Sequence, residues 1–361
     1  MKLKKLAALV LAGVFSFGVA AGTQAATREE IAAVRVETAS DFKYWNEDSP
    51  TLQTIVEFVE DVTNPVSANF IPAEDRVATF DMDGTFYCET APIYFQESMF
   101  FYRALEDKNF NAPKEMVEFA KKIKPKVYNK TGLTKAENDK YFKYLTKAYA
   151  GMTDEEYRAY VRNFMQTNET GLTNLKRGEA FYLPMVEIIS YLSNNGFAVY
   201  IDSACGVSTT RELVGDILPI QYDRIIASDF VYTSTGMGKD AAKAHFFDRY
   251  KEKIVISGEP IKENGKTVKI FSILNQIGKK PVLAFGNSSG DTSMFEYTLQ
   301  NNKYRSAAFY VLCDDTEREL GKPERAEKEK ALSAKRGYNT ISMKNDWKTI
   351  YGDNVKVESG K

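Results

Sequence analysis

The sequence is short of three things. Among its 361 residues there is one histidine, His245, and there are three cysteines, Cys88, Cys205 and Cys313. Charge of either sign is not in excess: 48 Lys and Arg face 49 Asp and Glu, for a formal net charge of −1. Each shortage excludes something. A single imidazole cannot supply a Ser-His-Asp triad, a histidine-nucleophile centre with its partners or a multi-histidine zinc site. His245, in "DAAKAHFFDRY", reads as a surface or helix residue instead. Three cysteines make no disulfide scaffold. They read as small buried residues, with a Cys88–Cys205 bridge as the other reading. Balanced charge without a basic arm offers nothing to nucleic acid or to an anionic membrane surface. Any chemistry must rest on carboxylates, hydroxyls, lysines or a hard metal ion.

Long apolar runs are missing too, except at the start. "MKLKKLAALVLAGVFSFGVAAGTQAATREE" has three lysines, an apolar run from Leu6 to Ala21 and small residues around Ala25. That is the three-part pattern of a secretory signal peptide. The run is too short, and polar sequence follows too soon, to favour a membrane span, although an uncleaved anchor is the alternative. The expectation is a signal peptide over residues 1–25 and a mature protein, periplasmic or secreted, with no stable membrane insertion. Loss of Lys2, Lys4 and Lys5 takes the formal charge from −1 to −4.

The rest has the composition of an ordinary globular chain, 43% hydrophobic and 27% charged, long enough for one large domain with insertions or for two. "SPTLQTIVEFVEDVT" has helical spacing, with Ser49 as N-cap ahead of Pro50. "RVATFD" (Arg76 to Asp81) reads as a buried strand. From about Thr90 to Lys176 the sequence is rich in Lys, Glu, Tyr and Phe at helical periods, and Thr153 with Glu156 forms a capping box. A helix from about Pro184 then leads through "NNG" into the strand "FAVYI" (Phe197 to Ile201). "RELVGDIL", "DRIIASDF", "GKTVKIFSILNQIGKKPVLAF" and "SAAFYVLCDD" continue the alternation, and a Lys/Glu-rich tail reads as a solvated helix. Nearly all-apolar strands alternating with helices predict a parallel sheet covered on both faces.

Three of these strands end in polar clusters: Asp81 and Asp83 after "VATF", Asp202 and Ser203 after "VYI", and Asn287 with Asp291 after "LAF". In open α/β sheets the site lies at the carboxyl ends of the strands, so the clusters should converge. Asp81 would be a carboxylate nucleophile, Asp83 a general acid and then base. Ser203 and a lysine would bind phosphoryl oxygens, and a hard divalent cation, Mg²⁺, would offset the close carboxylates. The plainer reading of the aspartates is an Asx-turn at a strand end, with Gly84 supplying the turn.

This set resembles the haloacid dehalogenase superfamily of phosphohydrolases. An apolar strand followed by Asp81, Asp83, Gly84 and Thr85 matches that family's first motif, and Ser203 matches its second. Lys266 matches the third best, with Lys269 as runner-up, and "GNSSGD" matches the fourth. Asn287 stands where an aspartate is more usual, so Asp291 is expected to be the main acidic ligand. The resemblance implies a Rossmann-like, doubly wound parallel sheet with a helical cap inserted after its first strand, over 26–89 and 177–361 for the core and 90–176 for the cap. It implies the catalytic set Asp81, Asp83, Ser203 and Lys266, with substrate held by Gly84, Thr85, Ser203 and Lys266 and metal by Asp81, Asp83, Asn287 and Asp291. Asp202 either supports the site or faces substrate, and Tyr87 and Glu89 either face the cap or pack.

With an acid at Asp83, the expected activity is hydrolysis of small phosphate monoesters. The helical cap is similar to that of the phosphoserine-phosphatase-like branch, and exported members include acid phosphatases and a phosphorylcholine phosphatase. Transfer to an acceptor alcohol, and a non-catalytic binding protein on the same scaffold, are the other readings. Nine cap aromatics (Tyr94, Phe95, Phe100, Phe101, Tyr102, Tyr141, Phe142, Tyr144 and Tyr149) are expected to be mainly core, with a cage for the quaternary ammonium of phosphorylcholine as the alternative.

Overall fold

The computed structural model describes residues 25–236, 243 and 246–358. The expected signal peptide, Ala25 excepted, and His245 lie outside the described residues. A short helix α1 (Arg28–Ala32) precedes α2 (Pro50–Thr63), whose N-cap Ser49 accepts the Leu52 amide as its position ahead of Pro50 predicts. Strand β1 (Val77–Phe80) follows, then four helices: α3 (Phe95–Leu105), α4 (Lys114–Tyr128), α5 (Lys135–Lys147) and α6 (Asp154–Met165). The predicted Thr153/Glu156 capping box opens α6, and an equivalent one at Thr134/Glu137 opens α5.

After α7 (Leu183–Asn194) the chain alternates as expected through β2 (Ala198–Gly206), α8 (Val207–Val214) and β3 (Ile225–Ser228). A small antiparallel pair, β4 (Tyr232–Ser234) and β5 (Ile254–Ile256), stands apart from the main sheet. The last part runs α9 (Val268–Ser272), β6 (Leu283–Gly286), α10 (Thr292–Leu299), β7 (Ala307–Leu312), α11 (Pro323–Arg336) and β8 (Asn339–Ser342). Six strands form one parallel sheet in the order β3-β2-β1-β6-β7-β8. The α/β, Rossmann-like fold implied by the sequence is the observed one.

Register explains the centre of the core. Phe80 pairs with Phe285 and Phe285 with Phe309 across β1, β6 and β7, so parallel alignment stacks the three rings, with centroids 4.3 and 4.9 Å apart. β1 and β6 are buried along their whole length, which is why their sequences are apolar runs and not alternations. β1 lies in the middle, with β2 on one side and β6 on the other. The strand order reverses there, and a crevice opens at the carboxyl ends of β1, β2 and β6. Cys88, Cys205 and Cys313 are all free thiols, so the Cys88–Cys205 bridge does not form. Among the described residues no helix is long and apolar enough to cross a membrane.

Candidate active site

The crevice holds a cavity of about 300 Å³. Its floor comes from the three strand ends, with Asp81, Asp83, Ser203, Asn287 and Asp291 lining it, and its roof from α3 and α5. The turn after β1 is tight. The amides of Thr85, Phe86 and Tyr87 all point at the Met82 carbonyl at 3.1 Å, and the Gly84 N–H donates to Tyr87 O at 2.6 Å. Gly84 has φ +81°, and a Cβ there would stand 1.9 Å from Asn287 Nδ2 and 2.5 Å from Glu89 Oε2. Glycine is required on both counts.

Lys269 ties two of the strand ends together. Its Nζ donates to Asp81 Oδ1 and to Asp291 Oδ1, each at 2.7 Å, while the lysine itself is 2% exposed. Burial alone would lower the ammonium's pKa, but Asp291 and Asp81 outweigh it and raise it. Lys269 lies in the first turn of α9 and points inward. Lys266, the residue expected from sequence, sits just before the helix with φ +57°, and lines the cavity with its side chain exposed. The buried lysine is therefore Lys269, and the expectation for Lys266 is corrected: it is at the rim.

Asp291 is engaged within the protein itself. Its Oδ1 is taken by Lys269, and its Oδ2 accepts the Asn287 and Ser288 amides and the Ser288 hydroxyl at 3.0–3.1 Å. It holds the lysine and the loop. Asn287 spends Nδ2 on Glu89 at 2.6 Å, which leaves the amide oxygen. Among the described residues no three His, Cys, Asp or Glu side chains form a metal-holding group. The donor set here is mixed: two carboxylates, Asp81 and Asp83, and one amide. Asp83 Oδ1 is buried without any hydrogen-bond partner, an orphaned hard-oxygen donor facing the same cavity. Hard oxygens with few protein ligands suit Mg²⁺, so the residues fit that cation.

Burial raises the Asp81 carboxyl, and the charge of Asp291 adds to this against Lys269. Burial raises Asp83 further, with Asp81 and Glu89 adding to it. Ser203 is buried, and its Oγ accepts the Cys205 amide at 3.1 Å. Asp202 accepts from Asn264 Nδ2 at 2.7 Å, and burial pushes its carboxyl up to about 6. Asp202 thus supports the site through Asn264, whose Nδ2 also reaches Ser203 O at 3.1 Å. Thr85 is buried with its hydroxyl unpartnered.

The roof contains what sequence reasoning missed. Gln96 and Glu97 enter from α3. Gln96 Oε1 accepts the Gly206 amide at 3.0 Å while its Nε2 is buried and unpartnered, and Glu97 forms no ion pair among the described residues. Burial pushes the Glu97 carboxyl up to about 7. The available signal was this polar pair inside "YFQESMFF", a helix otherwise aromatic and apolar on its inner side. Of the nine cap aromatics, Tyr94, Tyr141 and Phe142 line the cavity, whereas Phe95, Phe100, Phe101 and Tyr149 are buried core.

No family model matches the chain, and no curated protein matches it in sequence. Solved structures do match. A conserved, functionally unknown protein from Anaerococcus prevotii DSM 20548 is 13% identical, with 88% of this chain and 98% of that one covered at a TM-score of 0.50. A protein of unknown function from Bordetella pertussis Tohama I is 15% identical over 74% of this chain and 97% of its own, at 0.47. Cytosolic 5'-nucleotidase IIIB bound to cytidine is 12% identical over 82% and 86%, at 0.44. At these identities the likeness is one of fold alone, a parallel α/β sheet flanked by helices.

Proposed function

We propose that the protein is an exported, Mg²⁺-dependent phosphomonoesterase acting through an aspartyl-phosphate on Asp81. The observation that carries this reading is the trio at one cavity floor: a buried carboxylate bound by a buried lysine, a second carboxyl two residues on with a buried, unpartnered oxygen, and Ser203. Asp81 attacks phosphorus through the oxygen that Lys269 leaves free, and the bond to the leaving oxygen breaks as Asp83 gives that oxygen its proton. Water then attacks the phosphorus, Asp83 takes the water's proton back, and Asp81 is released with inorganic phosphate. Lys269 and Ser203 stabilise charge on the phosphoryl oxygens during both steps. Asp81 and Asn287 would hold Mg²⁺ beside Asp83, and the cation would supply positive charge for the facing carboxylates and the phosphoryl group. Export rests on residues 1–25 alone.

The roof favours a small leaving group that carries a cation. Glu97 offers a carboxyl with no ion pair among the described residues, within a wall of Tyr94, Tyr141 and Phe142, a setting suited to a quaternary ammonium such as that of phosphorylcholine. The test is a panel of phosphomonoesters assayed with Mg²⁺. Hydrolysis of p-nitrophenyl phosphate is expected to vanish both in Asp81→Asn and in EDTA, and retained turnover in both cases overturns the mechanism. Phosphorylcholine is expected to exceed uncharged monoesters by about tenfold in kcat/KM, equivalent to about 1.4 kcal/mol. Comparable turnover across the panel removes the cationic leaving group.

A further inference from the structure

Asn287 is a neutral ligand where the chemistry calls for charge. Its Nδ2 donates to Glu89 Oε2 at 2.6 Å, and Glu89 Oε1 accepts from the Tyr94 hydroxyl at 3.0 Å. Both residues are buried, 6% and 7% exposed. The pair is a product of the sheet: β1 and β6 are neighbours, so the loop carrying Glu89 and the loop carrying Asn287 leave the same edge of the crevice. Gly84 keeps the space between them open, since a side chain there would strike both groups.

Two consequences follow from this geometry. Donation by Nδ2 fixes the amide's rotation, so its oxygen is presented on the other side, in the cavity that Asn287 shares with Asp81 and Asp83. The carboxylate directly behind the amide also restores the negative charge that an asparagine withholds. Among the described residues Glu89 forms no ion pair that would cancel this charge. Lys130, Lys322 and Arg325 line the recess behind it, Arg325 being paired with Glu329.

We propose that Glu89 is a positioning residue for the divalent cation, orienting the Asn287 amide oxygen and supplying, through one hydrogen bond, the charge that Asn287 lacks. The inference rests on the Mg²⁺-dependent reading above. Groups that orient a metal ligand from behind are typically worth about 10–100-fold in metal affinity. Calorimetric titration of the full chain with MgCl₂ tests it without reference to turnover. Glu89→Gln keeps the shape and can still accept from Asn287, but it loses the charge, so the Mg²⁺ affinity is expected to fall at least tenfold. The double variant E89Q/N287D moves the charge onto position 287 and reverses the hydrogen bond, with Gln donating back to Asp. It is expected to bind Mg²⁺ within about threefold of the wild type, a recovery that a purely structural contact would not produce.

Circular dichroism melts in EDTA identify which variants are folded. Should E89Q not fold, the double variant alone decides the matter. Wild-type affinity in a folded E89Q, or no recovery in a folded double variant, overturns the role of Glu89 and leaves the phosphatase reading standing. A wild type that binds no Mg²⁺ overturns both.

Discussion

At the scale of single residues, the site turns on which of two lysines is inside. Lys266 and Lys269 are three positions apart, and both could open a helix. The sequence does not separate them because the deciding feature is backbone conformation. Lys266 takes φ +57°, uncommon for a lysine, and the helix starts only after Thr267. Lys269 then lands on the inner face, between Asp81 and Asp291. Removing it leaves two buried carboxylates facing one another without their cation and, on the proposed function, deprives the phosphoryl oxygens of a fixed donor. Lys269→Met is expected to lower kcat by about 10²–10³-fold, whereas Lys266→Met, at an exposed rim position, should change kcat by no more than a few-fold. Equal losses in the two variants would show that the buried ammonium is not the one that matters. The aspartates themselves were legible from sequence, because two carboxylates ending an apolar strand have few structural reasons to be there. The engagement of Asp291 by Lys269 and by backbone amides was not legible, because it depends on the loop's turn, which no residue pattern announces.

At the scale of elements, the inserted helices are tethered to the sheet by α6 lying on α8. Tyr157 Oη and Thr209 Oγ1 are 2.8 Å apart and fully buried, and Glu212 of α8 is clamped by Arg158 and by Arg162 at 2.6 Å. Glu212 is 6% exposed in its side chain, while Arg162 is 53% exposed, so solvent screens part of the attraction. Glu212→Ala removes both pairs at once and is expected to cost about 1–3 kcal/mol in urea unfolding, with the α3 and α5 roof less firmly held and KM raised more than kcat is lowered. An unchanged midpoint would mean that apolar packing alone holds the two helices together. Elements with strong end signals were the readable ones: α2 with Ser49 and Pro50, α6 with Thr153 and Glu156, α7 running to "NNG". The unread ones lack length or continuity. β4 and β5 have three residues each, too few to display a period, and "GKTVKIFSILNQI" reads as one helix but divides into five residues of α9 and a π-turn over Ile273–Ile277.

For the molecule as a whole, the convergence of three strand ends was legible because parallel topology forces it, whereas the burial of carboxyls on the surrounding helices and loops was not. Glu187 is 1% exposed on α7 and accepts the Lys43 and Tyr44 amides at 2.7 and 3.1 Å. Burial pushes its carboxyl up to about 7, against those two bonds. Burial likewise raises Glu169 to about 8, with Arg177 opposing, and Glu97 to about 7. All three are raised in the folded state, which fixes the sign. Below about pH 4.5 both folded and unfolded chains keep these groups protonated, and their contribution to stability is fully present. Between about 4.5 and 7–8 the unfolded chain releases protons that the folded chain retains, so stability falls as pH rises. The opposite group, Asp75, is held down to about 2 by Tyr304 and Lys279, and Glu137 to about 2 by Lys126; their contributions disappear only in stronger acid. Stability in EDTA should therefore peak near pH 4–5 and decline toward pH 8. Urea midpoints at pH 5, 6, 7 and 8 check this. Glu187→Gln should flatten the decline by on the order of 1–3 kcal/mol over that range while lowering stability at pH 5, because an amide can accept only one of the two backbone N–H groups. A midpoint that rises from pH 5 to pH 8 in the wild type would mean that these carboxyls are ionised in the fold, and that the charge on Arg177 and the two amides at Glu187 outweigh their burial.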